Sequence, residues 1–120
     1  MQSDFRVETH TAGRLTTVTV AGELDVVSSP TFKAELERAI GSDCDAIVVD
    51  LRTLEFMDST GLHVLVDGFQ RAQQSGRAFA VTRGSEQVDR VLMLTGIAEV
   101  VRIVDAPEQA LETGHPPDGP

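Results

Sequence analysis

The feature that most constrains the fold is an uninterrupted apolar run in the middle of the chain. Ala46-Ile47-Val48-Val49 stands between Asp45 and Asp50, and Leu51 follows. A strand with one face in solvent alternates apolar and polar residues, whereas a strand covered on both faces does not. The run therefore predicts a central strand at residues 45–51, with other elements packed above and below it.

Strand and helix patterns alternate on both sides of this run. Before it, two strands at residues 5–9 and 15–20 form a predicted hairpin around Gly13, Gly22–Asp25 is a predicted loop, and a helix starts at Ser29-Pro30 with Ser29 as N-cap. After it we expect a loop from Arg52, then a helix, a strand, a helix, a strand and a short closing helix, at residues 59–75, 78–82, about 88–95, 100–104 and 107–111. Strands that alternate with helices require a sheet that is parallel in its later part. The prediction is an α/β fold: a mixed sheet of about five strands with about four helices packed on it.

The chain length fits a single domain. Its 120 residues leave no room for a linker between two domains of ordinary size. We place the domain at residues 1–113. The last seven residues, 114–120, are rich in proline and glycine and contain no apolar side chain, so a disordered tail is expected there.

Composition excludes several classes of function. A single cysteine, Cys44, permits neither an internal disulfide nor a multi-cysteine metal site. The net charge of −9, with no tryptophan or tyrosine, disfavours nucleic acid, and the acidic balance also disfavours anionic membranes. The polar N-terminus lacks an export signal, and no apolar stretch approaches the ~20 residues of a membrane span. We expect a cytoplasmic protein with no nucleic-acid or membrane partner.

The loop after the central strand carries the most informative polar residues. In α/β sheets, functional groups gather at the carboxyl ends of the strands. Here Ser59 stands at the predicted start of a helix, with Asp58 before it and Gly61 after it. On spacing alone, Ser59 is an ordinary helix N-cap that accepts hydrogen bonds from unpaired backbone N–H groups.

Two segments resemble one known family. Phe56-Met57-Asp58-Ser59-Thr60-Gly61-Leu62 is similar to the signature of the anti-sigma factor antagonists, the regulatory branch of the STAS domains, and Gly22-Glu23-Leu24-Asp25 is similar to their second conserved loop. The resemblance extends from about Phe5 to Leu111. It implies a STAS-type sheet and a role in partner switching. In that family, the unphosphorylated antagonist binds an anti-sigma factor, which is also an ATP-dependent serine kinase of the histidine-kinase-like ATPase type, and so releases the sigma factor.

The resemblance also assigns roles to individual residues. It implies that the kinase phosphorylates Ser59, that phosphorylation dissociates the complex, and that a serine phosphatase restores the hydroxyl. Asp25, Asp58, Thr60 and Gly61 match partner-facing positions. We expect Gly61 to let a partner approach the backbone closely, and the phosphoryl group to meet free N–H groups at the helix start.

Enzymatic interpretations are weaker. The context of Ser59 is not the Gly-x-Ser-x-Gly of a nucleophile elbow, and no base paired with an orienting group is evident. Three histidines could serve as a base: His10, His63 and His115. His115 lies in the tail, and His63, where many relatives carry glycine, lies one turn along the helix of Ser59. We therefore expect a protein that is not an enzyme.

Two further interpretations start from the acidic residues and from the fold. A phosphorylated receiver domain could use Asp50, but it needs a lysine at the end of a late strand, and the single lysine, Lys33, lies in the first helix. Asp43, Asp45 and Asp50 are more typical of solvated strand ends than of a metal site. Within the STAS fold, a non-switching scaffold or accessory subunit of a transport or stress-sensing complex remains the alternative function.

Overall fold

The computed structural model describes residues 4–111, which contain a five-stranded sheet. The strands are β1 (Arg6–Ala12), β2 (Leu15–Leu24), β3 (Ala46–Met57), β4 (Ala78–Thr82) and β5 (Arg102–Val104). They lie side by side in chain order. β1 is antiparallel to β2, whereas each later strand is parallel to the one before it. The predicted mixed sheet, parallel in its later part, is confirmed.

Helices connect the parallel strands. They are α1 (Ser29–Ile40), α2 (Ser59–Gln74) and α3 (Glu86–Leu94). The predicted closing helix is a 3₁₀ helix (Pro107–Leu111), and a second 3₁₀ turn (Ile97–Glu99) shortens the predicted last strand. The prediction that Ser29 is an N-cap is wrong, because Ser29 is already the first residue of α1. The predicted tail, 114–120, lies outside the described residues.

The central strand is buried on both faces, as predicted. All six residues from Ala46 to Leu51 are buried. On one face, Val49 and Leu51 belong to the main core, together with side chains of α1 and α2. On the other face, Val48 packs with Ala110 of the closing 3₁₀ helix and with apolar side chains of β4 and β5. The absence of alternation thus reflects two separate apolar layers.

β2 and β3 are longer than predicted. The sequence indicated loops at Gly22–Asp25 and from Arg52 onward, but β2 continues to Leu24 and β3 to Met57. The two extensions pair with each other in parallel, interrupted by irregularities in register. Gly22, with φ +94°, serves close packing: a Cβ there would lie 2.7 Å from the backbone oxygen of Asp4. The extensions carry both motifs to one end of the sheet.

Candidate functional site

The two segments singled out by the sequence lie side by side at the carboxyl ends of β2 and β3. Leu24 is the register partner of Met57. One residue further on, the backbone N–H of Asp58 donates to the carbonyl oxygen of Leu24 at 3.1 Å. Because α1 and α2 both start just beyond these strand ends, their first residues share this edge of the sheet. The structure therefore brings the Asp25 and Ser59 segments together.

Asp58, not Ser59, caps α2. Its backbone is extended (φ −104°, ψ −173°), and one carboxylate oxygen, Oδ1, accepts from the N–H groups of Thr60 at 2.9 Å and Gly61 at 3.1 Å. Ser59 is already helical and cannot fold back in this way. The N-cap prediction for Ser59 is therefore wrong. The same two N–H groups, of Thr60 and Gly61, are therefore not free for a phosphoryl group.

Ser59 is left with an exposed hydroxyl at the first position of α2. Among residues 4–111, this hydroxyl has no hydrogen-bond partner, and neither has the hydroxyl of the half-buried Thr60. Because Asp58 caps α2, the Ser59 hydroxyl is not needed for capping. The cap also fixes the backbone turn that carries Ser59. Ser59 is thus held on an ordered backbone with its side chain directed to solvent.

Gly61 has an internal role. The residue is buried, and a Cβ there would lie 2.6 Å from Cγ of Leu24 and 3.2 Å from the Leu24 carbonyl oxygen. The space that its missing side chain leaves is filled by Leu24, so the expectation that it admits a partner is wrong. Glycine at this position lets α2 begin directly against the end of β2.

Asp25 organises the turn between β2 and α1. Its Oδ1 accepts from the N–H groups of Val27 at 3.0 Å and Ser28 at 3.2 Å, and its carbonyl accepts from Ser29 at 2.8 Å. The Ser28 hydroxyl donates to the Glu23 carbonyl at 2.8 Å. This turn holds two apolar side chains in solvent: Val26 is 66% exposed and Val27 is 74% exposed. Asp25 therefore shapes the surface beside Ser59 through the backbone.

The sequence analysis missed Gln87, which holds the end of β3. Its side-chain Oε1 accepts from the Met57 N–H at 2.9 Å, and its Nε2 donates to the Met57 carbonyl at 3.1 Å. We call this pair of hydrogen bonds the Gln87 clamp. Nothing in the local sequence signals it, because the two residues are 30 positions apart and glutamine is common on helices.

Asp50 has a structural environment. Arg52 donates to its carboxylate from Nε and from Nη2, each at 2.9 Å, and the Thr82 hydroxyl lies 3.3 Å away. Burial raises the pKa of Asp50, but hydrogen bonds from the Arg52 side chain and backbone, its positive charge, and Thr82 outweigh burial and hold the pKa below its usual value. The Asp50 carboxylate is thus held by two residues of the sheet, Arg52 of β3 and Thr82 of β4.

The remaining candidates lie elsewhere. His63 is exposed on α2, where it lines a shallow groove of about 330 Å³ with Lys33 of α1, and no hydrogen bond in the described part of the chain joins it to Ser59. Residues 4–111 contain no group of three or more His, Cys, Asp or Glu side chains arranged to hold a metal ion. None of the helices described is both long and apolar enough to cross a bilayer.

Comparison with known proteins identifies the family to which this fold belongs. The model of the STAS domain family matches residues 6–110. The chain belongs to the STAS domain family. It is 34% identical to an anti-sigma F factor antagonist of Paenibacillus polymyxa over 95 residues, which are 78% of this chain and 81% of that protein.

Solved structures share the fold. An anti-sigma factor antagonist from Mycobacterium paratuberculosis matches with a TM-score of 0.81 at 23% identity, over 90% of this chain and 92% of that one. The Bacillus cell fate determinant SpoIIAA in its phosphorylated form matches with a TM-score of 0.67 at 19% identity, over 90% and 96% of the two chains. At these identities the likeness establishes the architecture.

Proposed function

We propose that the chain is an anti-sigma factor antagonist controlled by phosphorylation of Ser59. Its unphosphorylated form binds an anti-sigma factor that is also an ATP-dependent serine kinase, and this binding releases a sigma factor. Phosphorylation of Ser59 dissociates the complex, and a serine phosphatase restores the hydroxyl. In this proposal the chain acts in the cytoplasm as a binding partner and a substrate, not as an enzyme.

The main support for the proposal is that Asp58 caps α2, whereas Ser59 is exposed and does not. If Ser59 were only a helix cap, its hydroxyl would face the backbone of α2. Asp58 performs that function with two hydrogen bonds, and Ser59 is exposed without a hydrogen-bond partner in the part of the chain that the structure describes. An exposed serine that the fold does not need, on a backbone that the fold holds firmly, is suited to modification.

The surface around Ser59 supports protein docking. Val26 and Val27 project from the turn after β2, and Phe56, 39% exposed, lies on the neighbouring end of β3. We call Val26, Val27, Phe56 and Ser59 the docking surface. Exposed apolar side chains gathered at one edge are typical of a protein interface. The turn that displays the valines is held by Asp25, which gives this residue an indirect part in binding.

In the phosphoryl transfer, this chain contributes only the hydroxyl of Ser59. The Oγ of Ser59 forms a bond to the γ-phosphorus of ATP, the bond from that phosphorus to the bridging oxygen breaks, and ADP leaves. The hydroxyl proton passes to a base that we assign to the kinase, since the Ser59 hydroxyl has no hydrogen bond to a base among residues 4–111.

Phosphorylation would change the docking surface by charge and bulk. The product carries between one and two negative charges, and Asp58 already occupies two of the first-turn N–H groups. The phosphoryl group therefore stays outward, where it meets the partner. A loss of about 3 kcal/mol of binding free energy lowers the affinity roughly a hundredfold.

The direct test is intact-mass analysis after incubation with ATP and candidate anti-sigma kinases from the same genome. Wild type should gain one phosphoryl group, Ser59→Ala should gain none, and Thr60→Ala should behave as wild type. Ser59→Ala should still bind the kinase. If several candidates bind the chain and none modifies it, the non-switching scaffold replaces this proposal.

A further inference from the structure

The clamp belongs to a stretch of β3 that lacks a neighbouring strand. β3 pairs with β4 only from Ala46 to Val49, whereas on its other side it pairs with β2 as far as Met57. From Leu51 onward, the backbone groups on the β4 side need other partners, because unpaired buried N–H and C=O groups are destabilising. Side chains supply those partners along the end of β3 that leads to Ser59.

Three side chains, one from the last residue of β4 and two from the segment after it, replace the missing strand. The Thr82 hydroxyl accepts from the Leu51 N–H at 2.7 Å. Further along, the Ser85 hydroxyl donates to the Glu55 carbonyl at 3.1 Å. The Gln87 clamp comes last, and of the three side chains it alone binds both the N–H and the C=O of one β3 residue.

The clamp fixes the residue immediately before the cap of α2. Met57 is fully buried and held on the β4 side by Gln87, while the next residue, Asp58, is held on the β2 side through Leu24. Ser59 follows directly. We infer that Gln87 is a positioning residue for the phosphorylation of Ser59, an inference that rests on the proposed function.

The clamp should affect the chemical step more than docking. Without Gln87, the buried N–H and C=O of Met57 lose both partners, and the end of β3 can shift to find others. A displacement of about 1 Å at a reacting group can lower a rate about a hundredfold. The clamp forms no hydrogen bond with Val26 or Val27, whose turn is held by Asp25, so the two valines of the docking surface keep their places. We therefore expect kcat to fall while KM changes little.

Gln87→Met is the matched variant, because it keeps the side-chain length and suits a helix but makes neither hydrogen bond. Ser85→Ala is the control, since it removes a hydroxyl that also donates to β3, two residues earlier, and caps α3. Both proteins are first compared with wild type by thermal unfolding. Amide hydrogen exchange is then measured at Met57, Ser59 and Thr60, and kcat and KM are measured with an anti-sigma kinase that phosphorylates wild type.

In Gln87→Met we expect Met57 to exchange at least about tenfold faster and kcat to fall about tenfold, with KM within about twofold of wild type. Ser85→Ala should leave kcat unchanged. An unchanged kcat in Gln87→Met, or an equal loss in Ser85→Ala, overturns the inference. A wild-type chain that no anti-sigma kinase modifies overturns the proposed function instead. In that case amide hydrogen exchange still tests the clamp. An unchanged exchange rate at Met57 in Gln87→Met would show that Gln87 does not hold the end of β3.

Discussion

Replacing Gly61 by alanine tests whether the two motif segments are packed as closely as the structure indicates. An alanine Cβ would lie 2.6 Å from Cγ and 2.9 Å from Cδ2 of Leu24, well inside van der Waals contact. Leu24 is completely buried, so its side chain has no solvent to turn into. The Leu24 carbonyl, 3.2 Å from the new Cβ, also bonds to Asp58 and is not free to move.

The expected loss of stability is the difference of two effects. Overpacking a buried contact costs about 1–3 kcal/mol, and a contact that involves both backbone and side chain belongs in the upper half of that range. Alanine in place of glycine stabilises a helix by up to about 1 kcal/mol. We therefore expect Gly61→Ala to lower the free energy of unfolding by about 1–2 kcal/mol, or roughly 3–6 °C in Tm for each kcal/mol.

Urea unfolding followed by far-UV circular dichroism measures this change, since the chain has neither tryptophan nor tyrosine for fluorescence. Gly41→Ala is the control: its φ is −80°, and its Cβ would make an ordinary contact of 3.5 Å, so it should be neutral or slightly stabilising. If Gly61→Ala unfolds within about 0.5 kcal/mol of wild type, Leu24 can move aside. The account of Gly61 as a packing residue is then refuted.

Three further predictions concern the carboxylates and the acceptor. Asp58→Ala should destabilise the domain by about 1 kcal/mol in urea unfolding, whereas Asp58→Asn, which retains a capping oxygen, should stay closer to wild type; equal losses would show that charge, not capping, matters there. Ser59→Asp should keep the wild-type Tm but weaken kinase binding in calorimetry, and wild-type affinity would remove the electrostatic basis of the proposed switch. Because the folded pKa of Asp50 is lowered, its contribution to stability is complete above the unfolded value of about 3.9 and is lost as the pH falls through the folded value. The urea midpoint of wild type should therefore fall more steeply below about pH 4 than that of Asp50→Asn, and parallel curves would contradict this.

The sequence predicted the sheet because the central strand is an uninterrupted apolar run. The prediction of strand ends failed where that run gives way to a different spacing of apolar residues. Beyond Val49 the buried apolar residues of β3 are Leu51, Leu54 and Met57, spaced by three instead of two. The irregular register with β2 and the loss of β4 as a neighbour account for this spacing. No alternation was left to find, so the end of the strand resembled a loop.

The sequence predicted that the Ser59 segment follows a central strand, but not the contacts of this segment with the rest of the domain. Asp58 and Ser59 are both favourable N-cap residues, and only the extended backbone at Asp58 decides which of them performs the function. The contacts of Gly61 with Leu24 and of Gln87 with Met57 join residues far apart in the chain. Such pairs leave no mark on local periodicity, and for that reason sequence patterns could not reveal them.

The close contact between Leu24 and the start of α2 has a consequence for engineering chimeric STAS domains. The Gly22–Asp25 and Phe56–Leu62 segments meet through a backbone hydrogen bond and through the space that Gly61 leaves for Leu24. A change in one segment therefore affects atoms that the other segment contacts. A graft designed to move the proposed partner preference to another STAS domain should therefore include both segments.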